Sequence, residues 1–278
     1  MQVRDSLEEL IHIIQLLGEG HFKYNWDQVK ELLDIITNDC PFSIYPMPQN
    51  TDIFRGRYVS SGLVGNVSEL LNRTDKDVKD FGRCHKPGLS VLYGSNNLDA
   101  VLSELRAEVG QIIQVIQLAP KNDYSLRITA IGEVDHARRY GRALLGNDQT
   151  VTMINDFIES LAKEQVAKLY LRDAFMADLF SRQAYHQIDY KLTSALSDIV
   201  FSMHVNGEPI KGFAYPSVAH RGGLNYAIHG SYVDKSLDVA GCFAYEIVDY
   251  LGFGIYGRKK IATSSIMHDD GTIEWERS

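Results

Sequence analysis

Strand-like segments lie on both sides of a long helical stretch, and this order limits the folds open to the chain. Short runs rich in β-branched and aromatic residues read as strands; they are IFRGRYV (53–59), VLYGS (91–95), QIIQVIQL (111–118), SLRITAI (125–131), GFAYPSV (212–218) and LNYAIHG (224–230). Apolar residues at helical spacing fill residues 150–182, and a further helix is predicted over 192–204. Helices inserted between two groups of strands predict an α+β fold rather than repeated βαβ units.

Two helices are predicted before the first strand. Ser6 and Glu9 have the spacing of a capping box at the start of one helix, whose apolar residues recur every three or four positions. The second is predicted over residues 26–37, with Asn25 as its N-cap. Amphipathic helices usually bury their apolar face against their own domain, so we expect both to pack rather than to form a free interaction surface.

A cluster of prolines sets the predicted domain boundary. Proline interrupts regular structure, and three lie close together: Pro41, Pro46 and Pro48. The sequence therefore predicts a helical segment over 1–50 and a larger domain over 51–278, with a helical insertion at about 148–205. A terminal strand pair is predicted around Asp270-Gly271, whereas residues 234–257 are equally consistent with helix and strand.

Composition and charge narrow the class of protein. Hydrophobic residues make up 45% and charged residues 23% of the 278 residues, which is ordinary for a globular core. The net charge of −8 offers no global basic field for nucleic acid. The opening MQVRDSLEELIHIIQLL lacks the basic start and cleavage site of a signal peptide, and no apolar run approaches the ~20 residues that span a bilayer. We expect no membrane partner and a cytoplasmic location.

The most informative stretch runs from Gly82 to Leu105. Within GRCHKPGLSVLYGSNNLDAVLSEL lie a cation, a phenol, a hydroxyl and an acid, namely Arg83, Tyr93, Ser95 and Glu104. A strand, loop and helix in this order turn such residues toward a common cleft. Glu104 lies at the edge of the apolar stripe of a helix predicted over about residues 98–109, where its carboxylate would be half-sheltered. Taken singly, each residue is ordinary: a strand tyrosine usually fills a core, and a lone glutamate at the edge of a helix stripe is usually solvated.

Two further groups could contribute to the same cleft. Arg55 and Arg57 are two positions apart on a strand, so they share a face, and guanidinium forks match phosphate oxygens. Ser217 and Asn225 flank a Gly-Gly turn and could face a ligand. An exposed arginine pair and two routine turn residues are the plain alternatives.

Other chemistries find less support. The nine histidines show no HExxH or clustered spacing, so no metal is expected. No GxSxG surrounds Ser217, and Cys84 beside His85 would point the opposite way on a strand. The three cysteines are odd in number and are expected to be reduced and structural.

Taken together, these residues resemble the RES domain, a family named for an arginine, a glutamate and a serine. The resemblance covers residues 53–230 and rests on FRGR, GRCHKPG, VLYGS, Glu104 eleven residues after Tyr93, and YPSVAHRGGLN, in the family's order. The chain also looks like longer stand-alone members with a helical N-terminal segment. It departs from the family at His85, where an asparagine or aspartate is usual, so the ligand contact made there is not carried over.

The resemblance implies an ADP-ribosyltransferase-like fold with a mixed or antiparallel β core. It further implies an enzyme that degrades NAD⁺ by hydrolysis or phosphorolysis of the nicotinamide–ribose bond, often as the toxin of a toxin–antitoxin module. NAD⁺ would be the substrate, with no other cofactor and no metal. An antitoxin protein and a second copy of the chain are the protein partners to consider.

The resemblance also implies roles for individual residues. It assigns catalysis to Glu104, Arg55 and Ser217. It assigns ligand binding to Arg83, Tyr93, Arg57, Ser95 and Asn225. Chemically, the Glu104 carboxylate would stabilise an oxocarbenium-like ribose, Arg55 and Arg83 would hold the pyrophosphate, and Tyr93 would stack on a ring.

Three other hypotheses remain open from the sequence. The same chemistry could transfer ADP-ribose to a protein or nucleotide. The domain could bind NAD or ADP-ribose as a sensor, without turnover. A structural or partner-binding protein, acting through its helical regions, is the third.

Overall fold

The computed structural model describes residues 6–38, 40–60, 62–184, 186–205 and 207–277, without the side chains of residues 19, 187, 265 and 266. Residues 1–5 of the opening segment therefore lie outside the described residues. The helices in this part of the chain are α1 (Leu7–Gly20), α2 (Trp26–Thr37), α3 (Leu98–Glu104), α4 (Glu133–Tyr140), α5 (Asp148–Glu159), α6 (Lys163–Ser181), α7 (Tyr190–Ser202) and α8 (Gly230–Ser236). None of these helices is long and apolar enough to cross a bilayer.

The strands follow the same chain order and complete an α+β fold. They are β1 (Ile44–Pro46), β2 (Ile53–Val59), β3 (Val91–Ser95), β4 (Ile112–Pro120), β5 (Arg127–Ala130), β6 (His204–Val205), β7 (Glu208–Pro209), β8 (Gly212–Pro216), β9 (Leu224–His229), β10 (Leu237–Gly252), β11 (Ile255–Met267) and β12 (Ile273–Arg277).

The chain divides into two compact units that interleave along the sequence. The first comprises residues 1–45, 79–87 and 128–215, and the second comprises 46–78, 88–127 and 216–278. This differs from the predicted division at residue 50, because the opening helices belong with the later helical region: α2 packs against α7 and α1 against α6. Pattern along the chain marks a break in regular structure, but it does not show which distant segments pack together.

Helices dominate the first unit, and local signals explain how the two opening helices begin. The Ser6 side chain accepts a hydrogen bond from the Glu9 amide, and Asn25 and Gln28 form a complete capping box before α2. The apolar face of α2 buries Val29, Leu33 and Ile36. Strands β5 and β8 of this unit pair in parallel.

The second unit is built on an antiparallel sheet in the order β9-β3-β2-β4-β10-β11-β12. Helix α3 covers one face of this sheet. A Cβ placed on Gly56 would lie 2.6 Å from Val101 of that helix, so Gly56 and its face-mate Phe54 point toward α3. The core on this face includes the side chains of Leu102, Ala107, Ile113, Val115 and Ile247.

The strand predictions for 53–59 and 91–95 and the helix prediction for 26–37 are confirmed to the residue. Helix α3 is shorter than the apolar stripe suggested: it ends at Glu104 because Arg106 adopts a left-handed conformation with φ 50°. The ambiguous segment 234–257 contains the end of α8, the long strand β10 and the start of β11.

Candidate active site

Four polar side chains of the second unit form one hydrogen-bonded chain. Glu104 Oε1 accepts hydrogen bonds from Ser217 Oγ at 2.6 Å and from Asn225 Nδ2 at 2.7 Å. Asn225 Oδ1 in turn accepts from Ser95 Oγ at 2.5 Å. The residues come from α3, the loop after β8, β9 and β3, so only the folded unit brings them together.

The end of α3 determines where the Glu104 carboxylate lies. After Glu104 the amides of Arg106 and Ala107 bond back to the carbonyl oxygens of Ser103 and Leu102, which is the Schellman pattern. The sequence predicted a half-sheltered glutamate, whereas the residue is exposed as a whole. One carboxylate oxygen is fixed by two donors, and no hydrogen bond from a described residue reaches Oε2.

A compact loop holds Ser217. Its amide donates to the carbonyl of Gly223 at 2.8 Å, and its hydroxyl accepts from the amide of His220 at 3.1 Å. Since the hydroxyl accepts at this point, its proton is directed to the carboxylate of Glu104. A Cβ on Gly223 would lie 3.0 Å from Ala100 and 3.2 Å from Ser217, so a small residue suits this turn.

Ser95 and Asn225 are buried beneath the acid. Ser95 is only 3% exposed and Asn225 only 5%. Because the Ser95 hydroxyl donates to the amide oxygen, the amide nitrogen is left to donate to Glu104. The Ser95 side chain therefore orients its neighbour, and the ligand contacts expected of Ser95 and Asn225 stay predictions.

Arg55 and Arg57 are occupied by main-chain carbonyl groups. Arg55 donates to the carbonyl oxygens of Leu70 and Tyr93, both at 3.0 Å, and Arg57 donates to that of Glu69 at 2.8 Å. Both leave β2 on the face opposite Gly56, the glycine that packs against α3. Among the described residues neither forms an ion pair with Glu104. The ligand-binding and catalytic roles expected of Arg57 and Arg55 stay predictions.

Burial changes the electrostatics of Arg55. Removal from water lowers the pKa of its guanidinium to about 10, while the nearby Tyr93 raises it and Arg73 and Arg57 lower it. The group therefore remains charged near neutral pH, and the two carbonyl oxygens are the acceptors that a sheltered guanidinium needs. The Tyr93 carbonyl serves this purpose, so the stacking role expected for the Tyr93 ring stays a prediction.

Arg83 belongs to the first unit and lies in a tight turn. The main chains of Gly82 and His85 pair with each other, and a Cβ on Gly82 would lie 2.2 Å from the His85 ring. Arg83 Nη1 donates to the carbonyl oxygens of Phe180 and Arg182 at 3.2 and 3.1 Å. Its guanidinium lies 5.8 Å from the Tyr190 ring centroid. Its predicted place in a site with Glu104 stays a prediction.

The thiols are poor nucleophile candidates. Burial raises the pKa of Cys40 to about 12 and that of Cys242 to about 11. Cys84 is buried beside Arg83 in the sequence. In the described part of the chain no group of histidine, cysteine, aspartate and glutamate side chains could hold a metal ion.

A cleft beside Glu104 contains residues that the sequence reasoning missed. Its volume is 410 Å³, and its lining residues are Ser103, Arg106, Ala107, Glu108, Val109, Ala219, Tyr250 and Tyr256. The signal for the tyrosines was present: apolar residues on both sides of Gly252-Phe253-Gly254 are typical of a β-hairpin. Such a hairpin predicts that the two tyrosines pair across the strands.

No protein-family model, curated protein or solved structure matches the chain. The functional proposal therefore rests on the geometry of the site.

Proposed function

We propose that this protein cleaves the nicotinamide–ribose bond of NAD⁺, with Glu104 as the catalytic carboxylate and an ADP-ribosyltransferase-like fold around it. The observation that carries the proposal is the convergence of Ser217 and Asn225 on one oxygen of Glu104. Sequence order alone suggested these three residues from separate segments, and they share hydrogen bonds in one unit.

The arrangement suits a reaction that develops positive charge on a sugar. When the bond between C1′ and the pyridinium nitrogen breaks, its electron pair leaves with nicotinamide and the ribose becomes oxocarbenium-like. A carboxylate whose orientation is already fixed stabilises that charge without reorganising. Oε1 is held by two donors, so Oε2 remains to accept a hydrogen bond from a ribose hydroxyl or from the attacking water.

The ribose C1′ must bond to an acceptor after nicotinamide leaves. In hydrolysis, a water oxygen bonds to C1′ and loses a proton, which yields ADP-ribose and nicotinamide. In phosphorolysis, a phosphate oxygen takes the place of water. In this proposal Arg83 and Arg55 would bind the pyrophosphate. Both guanidinium groups already donate hydrogen bonds to main-chain carbonyl groups.

The direct test is release of nicotinamide from NAD⁺ by the purified chain, with and without phosphate. We expect turnover in the wild type and a loss of about 100-fold or more in Glu104→Gln, which keeps the shape but removes the charge. Glu276→Gln is the matched control, because that exposed acid lies on β12 of the same unit and does not line the cleft beside Glu104. An inactive wild type, or equal activity in wild type and Glu104→Gln, would contradict the proposal.

Two measurements separate the proposal from its rivals. If ADP-ribose is transferred to a macromolecule, a lysate incubated with labelled NAD⁺ gains a labelled protein or nucleic acid, detected by mass spectrometry. If the domain is only a sensor, calorimetry shows NAD⁺ binding while no product forms. A toxin role predicts that induced expression lowers cellular NAD⁺ and that Glu104→Gln abolishes this effect.

A further inference from the structure

The cleft beside Glu104 has the size and composition of a ligand pocket. Its 410 Å³ falls within the roughly 300–1,000 Å³ that ligand pockets occupy. One wall is the end of α3 and the residues after it, and the other is the hairpin of β10 and β11. Ser103 and Arg106, which flank Glu104 in the sequence, line the cleft, whereas Glu104 itself is not one of its lining residues.

The hairpin wall is a supported aromatic pair. Tyr250 and Tyr256 face each other across the strands, with ring centroids 4.7 Å apart and 29° between their planes. Tyr256 also packs against the core that includes Leu102 and Ala107, which holds the pair in place. Tyr250 is 48% exposed, so its ring offers free surface to a planar group.

The α3 wall carries a cation in an unfavourable backbone position. Arg106 occupies the left-handed position of the Schellman motif, with φ 50°, where glycine is usual. Strain of this kind tends to persist where the side chain is needed. Among the described residues no ion pair involves Arg106, and the other charged group of the cleft, Glu108, accepts a hydrogen bond from the Gln111 side chain. The guanidinium is therefore available to an anion.

We propose that this cleft binds a mononucleotide, with its base stacked on Tyr250 and its phosphate paired with Arg106. Identification of the mononucleotide as the nicotinamide half of NAD⁺ rests on the proposed function. The bond to be broken would then lie between the stacked ring and the ribose, next to Glu104. This assigns the phosphate to Arg106 in place of Arg55 and the stacking to Tyr250 in place of Tyr93.

Calorimetry with two probes separates the two contacts. Nicotinamide mononucleotide and nicotinamide riboside differ by the phosphate, and both are titrated into full-length Glu104→Gln to prevent turnover. Arg106→Gln in that protein should weaken mononucleotide binding about tenfold or more and leave riboside binding unchanged. Tyr250→Ala should weaken both probes by a similar factor, and Tyr250→Phe should retain the affinity.

Tyr58→Ala is the matched control, since Tyr58 is a 51%-exposed tyrosine on β2 of the same sheet and does not line the cleft. Unchanged affinity in Tyr58→Ala supports the assignment. Equal loss of both probes in Arg106→Gln, full affinity in Tyr250→Ala, or no mononucleotide binding at millimolar concentration would overturn it.

The same substitutions, made with Glu104 intact so that turnover can be measured, distinguish failure of the cleft assignment from failure of the proposed function. If the wild type binds the mononucleotide through Tyr250 and Arg106 but does not turn over NAD⁺, the cleft assignment stands and the NAD⁺-cleaving role is refuted. If Tyr250→Ala and Arg106→Gln both turn over NAD⁺ with an unchanged KM, the NAD⁺-cleaving activity stands and the cleft assignment is refuted.

Discussion

Ser95→Ala tests whether a buried hydroxyl orients the candidate catalytic acid. In the folded unit this hydroxyl donates to Asn225 Oδ1 at 2.5 Å, and Asn225 Nδ2 donates to Glu104 at 2.7 Å. Removing the hydroxyl leaves the amide oxygen of a 5%-exposed asparagine without that donor. It also removes the contact that distinguishes the two ends of the amide, so Asn225 can rotate and present oxygen to the carboxylate.

The expected cost follows from the burial of the orphaned acceptor. A buried polar atom that loses its partner costs about 1–3 kcal/mol, and the small cavity left by the hydroxyl adds little. Urea denaturation should therefore show a lower free energy of unfolding by about 1–3 kcal/mol for Ser95→Ala. Nicotinamide release should also fall, because a rotated amide repels Glu104 instead of holding it.

Two comparisons make this expectation refutable. Ser197→Ala also removes a buried hydroxyl, but this one donates at 2.7 Å to the Thr193 carbonyl within its own helix, so we expect a smaller change than for Ser95→Ala, about 0.5–1.5 kcal/mol or less. A double-mutant cycle of Ser95→Ala with Asn225→Ala should give a coupling energy of about 1 kcal/mol or more. Additive effects in that cycle would refute the orienting role of Ser95.

Three further predictions concern backbone strain, proton binding and packing. Arg106→Gly should raise the free energy of unfolding by about 1 kcal/mol in urea denaturation, since glycine tolerates φ 50°. The same substitution should weaken mononucleotide binding. An unchanged or lower free energy of unfolding would contradict the inference that the backbone is strained at Arg106. Burial, reinforced by Asp135 and Glu133, raises the pKa of Asp173 to about 7. The folded state then binds a proton that the unfolded state releases near pH 4, so stability should fall between about pH 4 and 7, by up to about 1.4 kcal/mol per pH unit. Asp173→Asn should remove this decline, and parallel pH profiles of the two proteins would contradict it. Gly94→Ala would place a Cβ 2.3 Å from Ile53 Cγ2 and should lower the melting temperature through an overpacking cost of about 1–3 kcal/mol. Gly65→Ala, with no atom within 4 Å and no left-handed φ, tests the backbone effect alone.

The elements whose signals are local were predictable. Asn25 and Gln28 satisfy the first amides of α2 by themselves, and the runs at 53–59 and 91–95 carry β-branched and aromatic residues bounded by turns. The end of α3 was not predictable in this way. Arginine at position 106 gives no stop signal, because glycine is the residue that usually marks a left-handed helix end.

The candidate site shows the same division. The order of residues suggested Glu104, Ser217 and Asn225, and these meet through hydrogen bonds. Strand alternation correctly indicated that Arg55 and Arg57 share a face, but it could not show that carbonyl groups from residues 69, 70 and 93 would take their donors. Alternation has a period of two and says nothing about what covers a face.

By itself, the amino-acid order determined the α+β class, most of the strands and the presence of an acid on the helix that follows residues 91–95. Periodicity and capping act over a few residues, so a linear sequence contains them in full. Only the tertiary structure decided that Ser95 lies beneath the site, that Tyr250 and Arg106 line one cleft, and that the opening helices belong with residues 128–215. These outcomes depend on contacts between segments far apart in the chain, where burial and competition for hydrogen-bond partners select one arrangement.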